Sequence, residues 1–232
     1  MTVTNPRVQE EDLIGETLLL GLLGRVLYQY PENEQRTWFQ SLIDTEAFSE
    51  TPFAADQEDV IAGVALLQTW SKAGLTDVVY QDMQADYLRL FIGAGKVIAP
   101  PWESVFFSDA RQTFQERTLQ VRSWYRRFGL EPEKLYHEPD DHIGLEMTFL
   151  AHLGSQALQA IESDDQEKLG ALLEARQDFL GEHLLKWGAA WCDLVIEHAH
   201  TDFYHGVARL TRGAFSAIAQ QSKLPALQED KR

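Results

Sequence analysis

The chain has 232 residues, 44% of them apolar and 11% aromatic, enough for one sizeable core and unlike a disordered chain. Asp and Glu number 36 against 20 Lys and Arg, a formal charge of -16. That excludes the basic footprint of a nucleic-acid binder, argues against an anionic membrane surface, and suits a basic or apolar partner. Cys192 is the single cysteine, so no intrachain disulfide and no thiolate zinc site can form, and a reducing compartment fits. Residues 1–12 are polar and acidic, without the apolar stretch of a signal peptide. No apolar run reaches the roughly 18 residues of a membrane span. The expectation is a cytoplasmic protein with no stable membrane insertion.

In chain order, residues 10–28 place Leu13, Leu18, Leu20, Leu23, Val26 and Leu27 at helical spacing. Tyr30-Pro31 ends that helix, because a residue before proline leaves the α region. Asn33 is a cap for a short helix over 33–43. Asp56 is the expected cap of a helix over 58–73, with Val60, Ile61, Val64, Leu67 and Trp70 facing inwards and Gly74 closing it. Residues 77–92 repeat Tyr80, Met83, Tyr87, Leu90 and Phe91 at three to four. Gly93, Gly95, Pro100 and Pro101 then make a regular element over 93–108 improbable. Yet this loop carries Val97, Ile98, Trp102, Val105, Phe106 and Phe107. A long loop with such groups either packs over the core or forms a recognition surface.

Asp109 caps a predicted helix over 110–128, ended by Gly129, and residues 131–138 form a polar linker. Helices follow over 140–161, 168–180, 184–198 and 202–221, and the tail from Ser222 is expected to fray. No stretch alternates with period two, and nothing repeats. The expected fold is all-α: one domain over residues 1–232, a bundle of nine or ten helices. A hinge near 129–138 would divide it into 1–128 and 139–232.

Tyr136-His137-Glu138-Pro139-Asp140-Asp141-His142-Ile143-Gly144 concentrates acids, histidines and a proline before a long apolar-periodic segment. Pro139 suits a first helical turn, and Asp140 and Asp141 suit its free N–H groups. Read blandly, this is a well-capped helix start. Glu138, Asp141, His142 and Glu146 could ligate a metal, and Glu197-His198-Ala199-His200 holds one Glu-x-x-His. A di-iron bundle needs two such pairs and further glutamates, so no metal is expected. Ser104 and Ser108 lack a Gly-x-Ser-x-Gly elbow, and no P-loop or dinucleotide fingerprint is present. The alternative of a nucleotide hydrolase or metal-dependent enzyme using Asp141 and His142 rests on those two residues alone, and the expectation is a protein without catalytic activity. A binding reading remains. The apolar loop would form a groove wall with Tyr87, Leu90 and Phe91, and the acid/His cluster at 138–142 an anionic lip. Such a site fits a partner with adjoining basic and hydrophobic parts.

Four stretches carry a family likeness: Asp86-Tyr87-Leu88-Arg89-Leu90-Phe91-Ile92-Gly93, Pro100-Pro101-Trp102-Glu103-Ser104-Val105, Glu138-Pro139-Asp140-Asp141-His142-Ile143-Gly144 and His198-Ala199-His200-Thr201-Asp202-Phe203-Tyr204. Together they resemble the twin-arginine redox-enzyme maturation chaperones of the trimethylamine-oxide and dimethyl-sulfoxide reductase type, over about residues 13–218. The resemblance implies a cytoplasmic all-α chaperone. It would bind the twin-arginine signal peptide, and the body, of a molybdopterin oxidoreductase subunit and delay export until the cofactor is inserted. It also implies a peptide-binding region at Tyr28, Tyr87, Leu90, Phe91, Pro100, Pro101, Trp102, Glu103, Ser104, Glu138, Pro139, Asp141 and His142. No cofactor is expected. Some members of the family bind guanine nucleotides weakly and some swap domains into dimers, which leaves both open for this chain. Gly93-Ala94-Gly95-Lys96 stands where relatives often carry Gly-Pro, so the loop entry differs.

Overall fold

Helical periodicity is realised along most of the chain. The computed structural model describes residues 6–48, 53, 57–93, 97–108, 113, 116–131 and 138–222. The caps expected at Asp56 and Asp109, the loop entry at 94–96, most of the linker at 132–137 and the tail from 223 lie outside the described residues. Among those described are α1 (Pro6–Tyr28), α2 (Arg36–Asp44), α3 (Glu58–Ala73), α4 (Asp77–Tyr87), α5 (Glu103–Phe106), α6 (Glu116–Arg127), α7 (Ile143–Glu162), α8 (Gln166–Glu182), α9 (Gly188–His198) and α10 (Asp202–Gln221). No strand occurs among them, in keeping with the expected all-α bundle of about ten helices.

The chain divides into two compact units, Met1–Tyr28 with Trp102–Lys186, and Gln29–Pro101 with Trp187–Arg232. Their boundaries follow Tyr28, Pro101 and Lys186, not the stretch at 129–138. Both flanks of that stretch are stitched into the first unit. The Leu130 N–H donates to the Tyr125 carbonyl at 2.9 Å, and Asp140 is paired with Arg122.

In the first unit α1 packs along α7, and α8 covers α7. Leu20, Leu23 and Val26 of α1 and Met147, Leu150 and Leu153 of α7 are fully buried. The two helices cross where each has a glycine. A Cβ on Gly144 would sit 2.6 Å from the Gly24 carbonyl oxygen, and one on Gly24 2.8 Å from that of Gly144. Arg176 of α8 donates to Glu16 of α1 at 2.6 Å.

In the second unit α3 packs along α10, again at small residues. A Cβ on Gly63 would lie 2.6 Å from the Leu210 backbone nitrogen. The core between α2, α3, α4, α9 and α10 is aromatic: Phe39, Tyr80, Tyr87, Phe91, Trp191, Phe203 and Tyr204 are all buried. Cys192 is buried there, and burial pushes its thiol well above its ordinary range, as suits an inert core cysteine.

Several local expectations are corrected. Leu18 and Ile61 are exposed, 69% and 53%, because the buried stripe on each helix is narrower than its apolar run. The last turn of the 77–92 segment widens to a π-helix over Leu88–Ile92. The 184–198 segment breaks at Trp187 into a 3₁₀ turn, Leu184–Lys186, and α9. A short helix, α5, forms inside the loop expected to have none. Helix α7 begins at Ile143 rather than at 140, for a reason that lies in the site.

Candidate functional site

The two most informative stretches of the first unit meet backbone to backbone. Trp102 and His142 form an isolated antiparallel bridge, and the Glu103 N–H donates to the Asp141 carbonyl at 2.9 Å. The rings of Trp102 and His142 stand edge to face at 6.2 Å, and the Tyr28 ring also meets His142 edge to face, at 5.1 Å. Edge-to-face packing at such distances is the favoured geometry for aromatic pairs.

Beneath these rings lies a polar hub. Asp140, Asp141, His142, Glu103 and Glu146 are buried, each at 1% exposure or less. Buried charge is tolerated only when paired and hydrogen-bonded. Asp140 receives both the Nε and an Nη of Arg122, at 2.7 and 3.0 Å, a bidentate pair. The Asp140 carbonyl accepts from the Tyr125 hydroxyl at 3.1 Å. Asp141 accepts from the Ser104 N–H at 2.6 Å and from the Thr118 hydroxyl at 2.8 Å. Glu103 accepts from His183 Nδ1 at 2.8 Å and faces Arg117 Nη1 at 3.4 Å. Burial, then Glu146, Asp141, Asp140 and Glu103, push the Tyr125 phenol well above its usual range.

This wiring explains two departures from sequence. Asp140 and Asp141 do not fill the first turn of α7, because their carboxylates serve groups on α5 and α6. His142 becomes the cap instead, its Nδ1 accepting from the Gly144 N–H at 3.0 Å. Helix α5, only one turn long, exists because Asp141 satisfies the N–H groups at its start.

The expected site residues therefore separate. Tyr28, Trp102, Glu103, Ser104, Glu138, Pro139, Asp141 and His142 are brought together in the first unit. Tyr28 and Trp102 are half-buried. Glu138 is 23% exposed, its carboxylate 3.9 Å from His142 Nε2. Pro139, Glu103, Ser104, Asp141 and His142 are buried, so Asp141 offers no open anionic lip. Tyr87, Leu90 and Phe91 belong to the core of the second unit. Tyr87 packs on Tyr30, Phe91 and Tyr204, and Phe91 stacks on Trp191 at 5.6 Å. Pro100 and Pro101 are buried at its edge. The segment just before them is pinned there: Ala99 N–H donates to Leu90 O at 2.9 Å, and Trp191 Nε1 donates to Ala99 O at 3.2 Å.

The other two family stretches are joined in the second unit by Asp86. Its Oδ2 accepts from the N–H groups of His200 and Thr201, at 2.9 and 2.8 Å, and from the Thr201 hydroxyl at 2.9 Å. Arg89 pairs with Asp86 and also donates to the His198 carbonyl. No cluster of three or more metal-ligating side chains occurs among the described residues.

Thr118, Arg122, Tyr125 and His183 were missed from sequence. The signal was present for three of them. Thr118, Val121, Arg122 and Tyr125 fall at helical spacing on the buried face of α6. An arginine on an apolar stripe calls for a buried acid, but nothing local says which one.

Comparison with known proteins places this geometry. Residues 54–193 match the family described as nitrate reductase delta subunit. The chain belongs to that family. The Tat proofreading chaperone DmsD of Salmonella typhimurium is 28% identical over 205 residues, covering 88% of this chain and 89% of that one. The chaperone protein TorD of Aliivibrio fischeri is 26% identical over 184 residues, 79% of each chain. A solved structure from Archaeoglobus fulgidus, of a protein assigned to redox enzyme maturation, shares the fold. Its TM-score is 0.53 at 19% identity, over 85% of this chain and 91% of that one. The chain is a member of the redox-enzyme maturation chaperones, as the resemblance implied. The alternative of an enzyme using Asp141 and His142 is not supported, and both residues are committed to the hub.

Proposed function

We propose that this chain binds the twin-arginine signal peptide, and the body, of a molybdopterin oxidoreductase subunit in the cytoplasm and delays export until the cofactor is inserted. The observation that carries this reading is the meeting of Tyr28, Trp102 and His142, with Glu138 beside them. Two half-buried aromatic rings supply apolar area and faces for a guanidinium. Glu138 supplies a partly exposed carboxylate for a charge-assisted hydrogen bond. The Trp102 indole N–H is buried without an acceptor among the described residues, and a peptide carbonyl would satisfy it. A leader with a twin-arginine end followed by an apolar stretch matches this set, and so does the charge of -16. Asp141 and His142 act by position: they hold the bridge that presents Trp102. The absence of any membrane-spanning helix among the described residues is consistent with this setting. The names of the relatives point the same way.

The test is calorimetric titration with a synthetic twin-arginine signal peptide. Trp102→Ala weakens binding by about tenfold or more, the loss of one well-packed aromatic anchor. Glu138→Gln weakens it less and reduces its salt dependence. Unchanged affinity in both variants, with unchanged circular dichroism, would sink the site.

A further inference from the structure

The first unit holds a cavity of about 1020 Å³ whose walls differ in sign from the molecule as a whole. Arg117, Arg127 and Lys186 line it, together with Phe107, Trp124 and Ser104. The Arg117 guanidinium lies 4.4 Å over Phe107, and that of Arg127 lies 5.1 Å over Trp124. Arg117 is partly neutralised by Glu103. Arg127 and Lys186 make no ion pair among the described residues. In a chain of charge -16, two cations without an ion pair among the described residues, lining one cavity, are a selective feature for anions.

A second, independent observation points to a ligand. Ser104 is 1% exposed, its backbone N–H is taken by Asp141, and its Oγ is buried without a partner. An unmade hydrogen bond at a buried hydroxyl costs about 1–3 kcal/mol. That cost is relieved if a group entering the cavity supplies the partner.

We infer that this cavity is a second peptide site, taking an acidic segment that also carries an aromatic side chain. Several features select this occupant. The volume is at the top of the range of about 300–1,000 Å³ for small-molecule sites, so it suits a short stretch of chain. Glu116 and Glu182 line the same walls. They would repel a polyphosphate, but they tolerate spaced carboxylates and can accept from peptide N–H groups. Arg127 and Lys186 take the carboxylates, and the apolar area of Phe107 and Trp124 beside the guanidiniums packs against the ring. Ser104 meets a backbone group. The cavity would thus read chemistry opposite to that of the cationic leader. The binding stands on the geometry alone. Only the origin of the segment, the body of the same client, rests on the function proposed above.

The experiment titrates the full chain with acetylated, amidated Glu-Phe-Glu-Phe-Glu, with the Gln-Phe-Gln-Phe-Gln analogue and with inorganic tripolyphosphate. The acidic peptide binds saturably, at least about tenfold tighter than the glutamine analogue, and its binding weakens as salt rises. The Arg127→Ala/Lys186→Ala double variant, changed only at exposed positions, loses that preference. The same variant keeps its affinity for the twin-arginine peptide, so a failure here is separable from a failure of the leader site. No saturable binding of the acidic peptide, an equal affinity for the glutamine analogue, or tighter binding of tripolyphosphate would overturn the inference.

Discussion

The two units solve the same packing problem with opposite interiors. Each is built on one long helix pair brought close by glycine, α1 with α7 at Gly24 and Gly144, and α3 with α10 at Gly63 and Gly206. The first then buries Asp140, Asp141, His142, Glu103 and Glu146 beside that crossing, whereas the second fills its centre with Tyr80, Tyr87, Phe91, Phe203 and Tyr204. A buried ion pair is a poor source of stability, because desolvation offsets the attraction. Its gain is in geometry. Bidentate and backbone hydrogen bonds fix orientation to a fraction of an ångström, which an aromatic core does not. The hub therefore sits where orientation matters, under the rings of Trp102 and His142. The aromatic core sits where only anchoring is needed, and there a single acid, Asp86, pins the start of α10.

The largest expected effect breaks the hub. Asp140→Ala leaves Arg122, 8% exposed, buried without its bidentate partner. The cost is about 3–5 kcal/mol, as for other broken buried pairs, read from urea denaturation. If the hub serves geometry rather than stability, Asp140→Leu combined with Arg122→Met restores most of that loss but not peptide affinity. A double variant as unstable as the single one would contradict the comparison.

The matching change in the second unit is smaller. Asp86→Ala removes the acceptor of two backbone N–H groups and the Thr201 hydroxyl at the start of α10. Hydrogen bonds to a charged group are worth about 1.5–3 kcal/mol, and the aromatic packing around Tyr204 persists. The loss is expected as faster hydrogen exchange at the amides of His200 and Thr201, with exchange in the middle of α10 little changed. Uniform acceleration through the helix would show that Asp86 supports the whole unit.

These two acids also mark what a sequence conveys. The helix class, the bounds of α3 and α10 and the stop at Gly129, with its φ of 72°, were legible because each follows from local spacing or conformation. The site was legible in its residues but not in its wiring. Asp140 and Asp141 look like first-turn acids, yet their partners lie on α5 and α6, 15 to 37 positions away. Tyr87, Leu90 and Phe91 were expected on a groove wall, but core and groove residues share one helical period, so spacing alone could not separate them. The division into units is not legible in the sequence, because each unit is assembled from two separated segments and no composition shift marks a boundary of that kind.

The smallest effect at neutral pH uses a tyrosine from each interior. Tyr80 donates to the Glu32 carbonyl at 2.6 Å, and burial pushes its phenol up to about 12. Tyr125 is raised well above its usual range, first by burial and then by the hub acids. In both, the folded state favours the neutral phenol. Below pH of about 10 neither state ionises, so the contribution is complete and constant. As pH climbs past 10 the unfolded chain releases the proton and the folded chain retains it, so stability falls. For Tyr80 the fall ends near pH 12, where the folded phenol ionises too. For Tyr125 it ends only where its own raised phenol ionises. Each Phe variant loses about 0.5–1.5 kcal/mol at neutral pH, the worth of one hydrogen bond. Denaturation midpoints followed from pH 8 to 12 should then show Tyr80→Phe and Tyr125→Phe declining less steeply above pH 10 than the parent. If Tyr125→Phe declines as steeply as the parent, the hub is open to water and the contrast between the two interiors fails.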